Sequence, residues 1–441
     1  MTKHRLLKLS SFVVTSTLCS MSYASGFAII EQSVTGLGSA FAGSAAVAED
    51  ASTIFFNPAG LTYLSHSQLA AGLNLINPEA DFHDQGSNAP ALSGLPLGGI
   101  DDDGGKLAVV PNLYYAHRLN DSTVAGIGIN APFGLVTDYS DNWVGRYNAI
   151  KSDLKTININ PSIAFKANEK LSLGFGVDLQ YIDLELTQAV DFGTICAVAS
   201  APCAAPLAND GKAKVTADDW SWGYNLGLIY QATEATRVGI AYRSKISHNL
   251  TGKGVFSVPS NAQTVASLAG FTNGHISGGV TLPENLSLAI HHQVNKQWAI
   301  MADASWTRWS RFQDLTISST DSSRLNSSKE EKWDNTMRYG LGLTYSYNDK
   351  WTFRSGIAYD ETPISDQYRT PRIPGNDRKW VSLGASYKAS EKLTIDAGYT
   401  HLFVSNTRVS DHTTDTLSHT LIGEYDASVD ILSVQMRWIF L

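Results

Sequence analysis

Long stretches of this chain alternate apolar and polar residues with a period of two. Leu171, Leu173, Phe175, Val177, Leu179 and Tyr181 fall on one side of an extended segment, with Ser172, Gly174, Gly176, Asp178 and Gln180 on the other. Tyr339, Leu341, Leu343, Tyr345 and Tyr347 oppose Gly340, Gly342, Thr344 and Ser346 in the same way. So do Leu393, Ile395, Ala397 and Tyr399 against Thr394, Asp396 and Gly398. The pattern predicts β-strands whose two faces meet different surroundings. Six short polar turns join such segments: Leu119–Asp121, Asn168–Lys170, Thr233–Ala235, Asn295–Lys296, Asn348–Lys350 and Ser390–Lys392. Each has the length of a tight hairpin. Seven longer connections lie between them, at 78–105, 133–152, 189–216, 251–277, 316–331, 362–376 and 405–427. Six turns and seven loops join fourteen strands, and both chain ends then lie on the short-turn side.

A water-soluble sandwich would also alternate with a period of two. Composition separates the readings: 16 Phe, 18 Tyr and 10 Trp are spread through the alternating segments, with aromatics near strand ends, where amphipathic rings favour a membrane interface. No segment after the N-terminus approaches the ~18 apolar residues of a spanning helix. The expected fold is therefore all-β: a transmembrane antiparallel barrel of about fourteen strands, closed because lipid leaves no unpaired backbone group satisfied. An even strand number suits a single-chain bacterial barrel. The last strand sets Leu432, Val434, Met436, Trp438 and Phe440 against Ser433, Gln435 and Arg437. Its outward aromatic, Phe440, is the kind of signal that the outer-membrane assembly machinery reads.

The ends of the chain modify this picture. Lys3, Arg5 and Lys8 precede a modest apolar run around Phe12–Val14, and Ser22-Tyr23-Ala24 offers small residues at a cleavage point. Residues 1–24 read as a signal peptide, which makes the protein exported. Its loss takes the net charge from −8 to −11, three cations fewer, and this argues against a nucleic-acid partner. Cys196 and Cys203 then remain, a pairing expected to form a disulfide in an oxidising compartment. Residues 25–65 precede the first convincing strand and carry few charges, so they are too apolar for a solvated tail. A fourteen-stranded barrel is wider than side chains alone can fill. Residues 25–65 are therefore expected to form a plug inside a barrel made by residues 66–441.

At this point the chain resembles the FadL/TodX family of outer-membrane transporters for long-chain fatty acids and hydrocarbons. The resemblance rests on Ser25-Gly26-Phe27, Gly36 to Gly43, Glu49-Asp50-Ala51 and Asn57-Pro58-Ala59 in the plug. It continues through NAPFGL at 130–135, LPENLSLAIHHQVNKQWAI at 282–300, WTRWSRFQDL at 306–315 and the stretch 351–380. It implies passive uptake of a long-chain fatty acid or related hydrophobic ligand. The protein would act as a monomer set in outer-membrane lipid and lipopolysaccharide, with no cofactor and no metal. It also implies a lumen pocket beside the plug, with Phe27 matching the family's aromatic there, and a side exit at an inward kink of the third strand. Gly126, Gly128, Asn130 and Pro132 sit in that strand; Pro132 cannot donate to a ladder, and glycine tolerates a bulge. Where family members can carry an arginine at the end of the fifth strand, this chain has Gln188, which leaves a neutral hydrocarbon open.

The residues themselves suggest where cargo would meet the protein. A sixteen-carbon chain costs on the order of 12 kcal/mol to leave in water, at about 0.8 kcal/mol per CH₂, so the route must be a series of apolar pockets. The 189–216 loop carries Phe192 and Ile195, and the 251–277 loop carries Val255, Phe256 and Phe271. Apolar residues at this density read either as a capture groove or as a small core packed over the barrel mouth. A carboxylate would want a cation nearby, and Lys329 is a candidate. Arg354, Asp396 and Arg437 read as wall pairs. Asn57-Pro58-Ala59 reads as a capped turn, with asparagine as the cap and proline in the first turn, and with Phe55 and Phe56 as packing residues. Other classes remain: a general porin, which would lack the plug; an adhesin or phage receptor, which would use the loops; and an enzyme. No nucleophile motif such as G-x-S-x-G accompanies His291, His292 and His401, and no metal-ligand spacing stands out.

Overall fold

A computed structural model describes residues 26–413 and 417–440; the expected signal peptide and Ser25 lie outside the described residues. Fourteen long strands form the wall: β1 Ser67–Asp84, β2 Ala108–Arg118, β3 Thr123–Asn130, β4 Lys151–Lys166, β5 Leu171–Asp191, β6 Asp210–Gln231 and β7 Thr236–Arg243, then β8 Asn285–Gln293, β9 Trp298–Thr307, β10 Thr336–Ser346, β11 Trp351–Asp360, β12 Arg378–Lys388, β13 Leu393–Val404 and β14 Thr420–Phe440. Each pairs antiparallel with its neighbours in this order. The sheet closes through β1 and β14, from Ser67↔Phe440 to Asp84↔Gly423. Closure pairs the first strand with the last and so removes the two outer edges that an open sheet would expose to lipid.

The outward face is apolar and open. Leu341 is 59 % exposed and Phe175 45 %, whereas Ser172 of β5 and Asn225 of β6, on the inner face, are buried. A soluble sandwich would hide those large apolar groups, so this face is built for lipid. Aromatic pairs such as Trp298–Tyr345, 4.3 Å between centroids, and Trp351–Tyr387, 4.7 Å, ring the short-turn end. Where Pro161 removes a donor from β4, the Asn160 side-chain amide donates to the Val177 carbonyl at 2.9 Å, so the ladder loses little there.

Strand ends depart from the sequence expectation on the long-loop side. β1 continues through Pro78 to Asp84, and β14 begins at Thr420, so the first and last connections are shorter than 78–105 and 405–427. β5 and β6 contain 21 and 22 residues, about twice the ~10 that cross a bilayer. Above the lipid nothing enforces a polar/apolar alternation, so hydrogen-bonded ribbons continue where the sequence signal fades. Strands Ile246–Ser257 and Gly274–Leu282, which overlap both ends of the expected loop 251–277, pair with each other, and the first also pairs with the upper part of β6.

The segment before β1 forms short helical turns, α1 Val34–Gly38, α2 Ser44–Val47 and α3 Thr53–Phe56, then a 3₁₀ turn Pro58–Tyr63. It packs on inward-facing wall positions that are glycine. Gly174 and Gly227 are ladder partners; a Cβ at Gly174 would lie 2.2 Å from Ala59 N, and one at Gly227 2.0 Å from Asn57 Oδ1. Across the barrel, a Cβ at Gly356 would lie 2.1 Å from the Ser39 carbonyl oxygen and one at Gly384 2.7 Å from Gly38 Cα. Asn57 is fully buried; its Oδ1 accepts from Ala59 N at 3.1 Å, while its Nδ2 donates to Ala45 O at 2.6 Å and Leu228 O at 3.1 Å. The capping side chain thus also ties this segment to β6. Glu49 bonds Arg354 of β11 and lies 3.3 Å from Arg437 of β14, whose Nε also donates to Asp396 at 2.7 Å. The three wall charges pair with one another and with the N-terminal segment.

Candidate functional site

The candidate site comprises two cavities and a break in the wall. The outer cavity, about 980 Å³, sits among the long loops. One end is apolar, with Ile195, Val198, Phe256, Val265, Leu268 and Phe271; the other carries Lys329, Glu331, Arg372 and Asp411. The apolar wall stands on helices Phe192–Val198 and Gln263–Leu268. A disulfide joins Cys196 and Cys203 at their base.

Two of the sequence candidates do not line this space. Phe192 is fully buried between the helices, its ring 5.0 Å from that of Phe271, and it serves the small core that holds the wall. Val255 is 42 % exposed on the opposite face of its strand, because neighbouring residues in a strand point to opposite sides. Phe256, Phe271 and Ile195 do line it. Both alternatives weighed for these loops therefore coexist: a packed core behind and a groove in front.

At the ionic end, Lys329 bonds Asp411 and donates to His412 O at 3.1 Å. Arg372 reaches across from the β11–β12 loop and donates to Gln188 Oε1 at 2.9 Å and to Ser152 Oγ at 3.0 Å. A guanidinium therefore stands beside Gln188 although the strand itself supplies none. Burial depresses the Arg372 pKa to about 10, the nearby Asp411 and Glu331 opposing it. Arg372 went unrecognised in the sequence because only folding brings residue 372 to residue 188.

Below this end, Phe27 sits in an aromatic cage, its ring 4.9 Å from Trp309, 5.6 Å from Phe312 and Trp333, and 6.1 Å from Phe133. Gly26, at φ +60°, must remain glycine for a second reason: a Cβ there would touch the Trp333 and Trp309 rings at 2.5 and 2.7 Å. Trp333 donates to Glu331 at 3.1 Å on the outer side. Phe133 lines the inner pocket, about 130 Å³, together with Ala28, Ile30, Phe55, Phe56 and Pro132. Phe55 and Phe56 are thus cavity walls as well as packing residues.

The break in the wall begins at residue 131, three residues beyond Gly128. Gly126 and Gly128 lie in continuous ladders with β2 and β4; their missing side chains make room for Ile54 and the Tyr114 ring. They are packing sites and form no bulge. After Asn130↔Asn158 the β3–β4 register resumes at Gly134↔Lys155, so three residues, 131–133, face two. That is a one-residue bulge. On the other side the β2–β3 ladder stops at Leu113↔Ile129, and Ala108–Asn112 pair with β1 alone.

The diverted residues are bonded instead by the N-terminal segment. Ile29 N donates to Pro132 O at 2.8 Å and Gly134 N to Phe27 O at 3.0 Å. The Gln32 side chain both donates to Ala131 O at 2.8 Å and accepts from Ala131 N at 3.3 Å. One amide side chain thereby replaces a missing strand partner. Gln32 carries no sequence signal of this role, which depends on a 99-residue separation.

The chain matches, over residues 15–440, the family described as outer membrane protein transport protein (OMPP1/FadL/TodX). It is 30 % identical over 410 residues to a long-chain fatty acid transport protein of Salmonella typhi, covering 90 % of this chain and 92 % of that protein. It is 32 % identical over 407 residues to outer membrane protein P1 of Haemophilus influenzae, covering 86 % of each. The crystal structure of a Pseudomonas aeruginosa FadL homologue superposes with a TM-score of 0.86 at 26 % identity, over 94 % of this chain and all of that one. The P. putida toluene transporter TodX shares the fold, with a TM-score of 0.66 at 21 % identity over 88 % of this chain and 94 % of that one.

Proposed function

This chain belongs to the outer membrane protein transport family (OMPP1/FadL/TodX), and on that premise we propose that it takes up long-chain fatty acids, with the N-terminal segment as its plug. The amphipathic shape of the outer cavity carries the reading: an apolar end built for an alkyl tail and an ionic end with Arg372 and Lys329. Cargo entering there leaves water for apolar contact, then passes the Phe27 cage to the inner pocket. Movement of residues 27–32 breaks the bonds from Phe27, Ile29 and Gln32 to residues 131–134, so the same movement that clears the pocket frees the break in the wall. Release into the bilayer follows through that side opening. The mechanism assigns no catalytic step to any residue.

A neutral hydrocarbon is the second reading, supported by Gln188. Arg372 weakens it, because a half-buried guanidinium offers a carboxylate charge-assisted bonds that an alkane cannot use. Such bonds contribute about 1.5–3 kcal/mol. Arg372→Gln should therefore weaken laurate binding by roughly 10- to 100-fold and leave dodecane binding unchanged; equal loss of both would count against a carboxylate site. For the function as a whole, mass spectrometry of lipid co-purified in mild detergent should find long-chain carboxylic acids. A deletion strain should lose growth on oleate and regain it with the gene. Undiminished growth of that strain on oleate would remove the reading.

A further inference from the structure

Glu331 is set in the floor of the outer cavity, 6 % exposed, with its Oε2 accepting from Trp333 Nε1 at 3.1 Å. The charges around it are engaged elsewhere. Lys329, two residues before it, is held by Asp411 of the β13–β14 loop, beside His412. Arg372, from the β11–β12 loop, is spread over Gln188, Ser152 and the Lys151 carbonyl. Glu330 and Lys332, its chain neighbours, pair with each other at 2.8 Å, both substantially exposed. Among the described residues no cation forms an ion pair with Glu331.

We propose that Glu331 is a proton site linked to cargo: an anionic amphiphile seated against Arg372 and Lys329 binds together with one proton, taken from solvent onto the Glu331 carboxylate. The proposal rests on the fatty-acid reading above and adds a residue to it. Two carboxylates close together in a poorly hydrated floor cannot both keep their charge at low cost, and the ligand's is the one that two cations face. Asp411 is already bonded to Lys329, whereas Glu331 has no cation partner among the described residues, so Glu331 is the group that yields. Its protonated form still accepts the Trp333 bond and removes one negative charge from beside the two cations. Burial already pushes Glu331 up to about 8, with Asp411 raising it further against Lys329, Arg372 and the Trp333 bond. At pH 7 the empty site already holds most of this proton and is ready for an anion; as pH rises through about 8 the proton is lost, and the anion must then bind together with one taken from solvent.

The sign of the effect follows by linkage. Binding raises the Glu331 pKa, so affinity for an anion is full below the free value and falls above it, by up to tenfold per pH unit. With the purified full chain in detergent, laurate below its micellar concentration should bind about tenfold more weakly at pH 9 than at pH 7. Dodecanol, which carries no charge, should bind equally at both. Glu331→Gln should hold the pH 7 affinity for laurate at both values. Should that variant fail to fold, calorimetry on the parent at pH 8.5 in two buffers of different ionisation enthalpy decides, with uptake of a substantial fraction of a proton expected. Equal laurate affinity at pH 7 and 9, an undiminished pH effect in Glu331→Gln, or no proton uptake would each overturn the proposal. Binding of dodecanol without laurate at either pH would overturn the fatty-acid reading itself, and the proposal with it.

Discussion

Deletion of Pro132 should abolish oleate uptake by cells while changing oleate binding at the outer cavity of the purified protein by no more than about twofold, because Pro132 lines the inner pocket and not the outer one. The reason is the register. Residues 131–133 face only two residues of β4 between Asn130↔Asn158 and Gly134↔Lys155, so removing one residue lets the ladder run through. A continuous β3 could then pair with Ala108–Asn112 of β2, which have only β1 beside them. The break would close with ordinary strand hydrogen bonds. Pro132→Ala separates count from chemistry: it keeps three residues against two, restores one N–H, and should transport nearly as well as the parent. Oleate uptake by the deletion at the parental rate would show that cargo leaves by another route.

Replacing Gly174 and Gly356 together by valine should turn a closed barrel into an open one. Both lie in ladders facing the N-terminal segment, and a Cβ there would stand 2.2 Å from Ala59 N and 2.1 Å from Ser39 O. Those contacts are backbone, which cannot rotate aside, so each substitution costs more than the ~1–3 kcal/mol of ordinary overpacking. Valine meanwhile suits a strand better than glycine, by up to about 1 kcal/mol, so the wall should still assemble. The expected result is a barrel of normal yield and heat-modifiable mobility, with steady ion conductance in planar bilayers and new sensitivity to bulky antibiotics. Silence in the bilayer with normal assembly would mean that the segment does not stop the lumen.

How much of this was legible in sequence differs from element to element. The fourteen strands and their connections follow from alternation and turn chemistry, and the structure keeps every one of the six short turns. Asn57 was legible as a cap because capping is local; its bonds to Ala45 and Leu228 were not, because they join residues far apart in the chain. Gly126 and Gly128 looked like marks of a bulge, yet glycine in a strand has two causes, a distorted ladder or a close neighbour, and only the position of Ile54 distinguishes them. Phe192 and Val255 looked like groove residues for a similar reason: an apolar residue in a loop reads the same whether it faces a cavity, a core or solvent.

The chain by itself determines the topology, because lipid on one side and polar interior on the other impose a period of two that is written residue by residue. It also leaves an apolar segment, residues 25–65, that the strand count does not absorb. The tertiary structure alone decides the chemistry of the site. Lys329, Arg372 and Asp411 come from three different loops and converge only once the barrel has closed, and Gln32 becomes a strand partner only where β3 turns away from β2. A local pattern can encode which face a residue takes, whereas contact between distant loops depends on the registers of every strand between them.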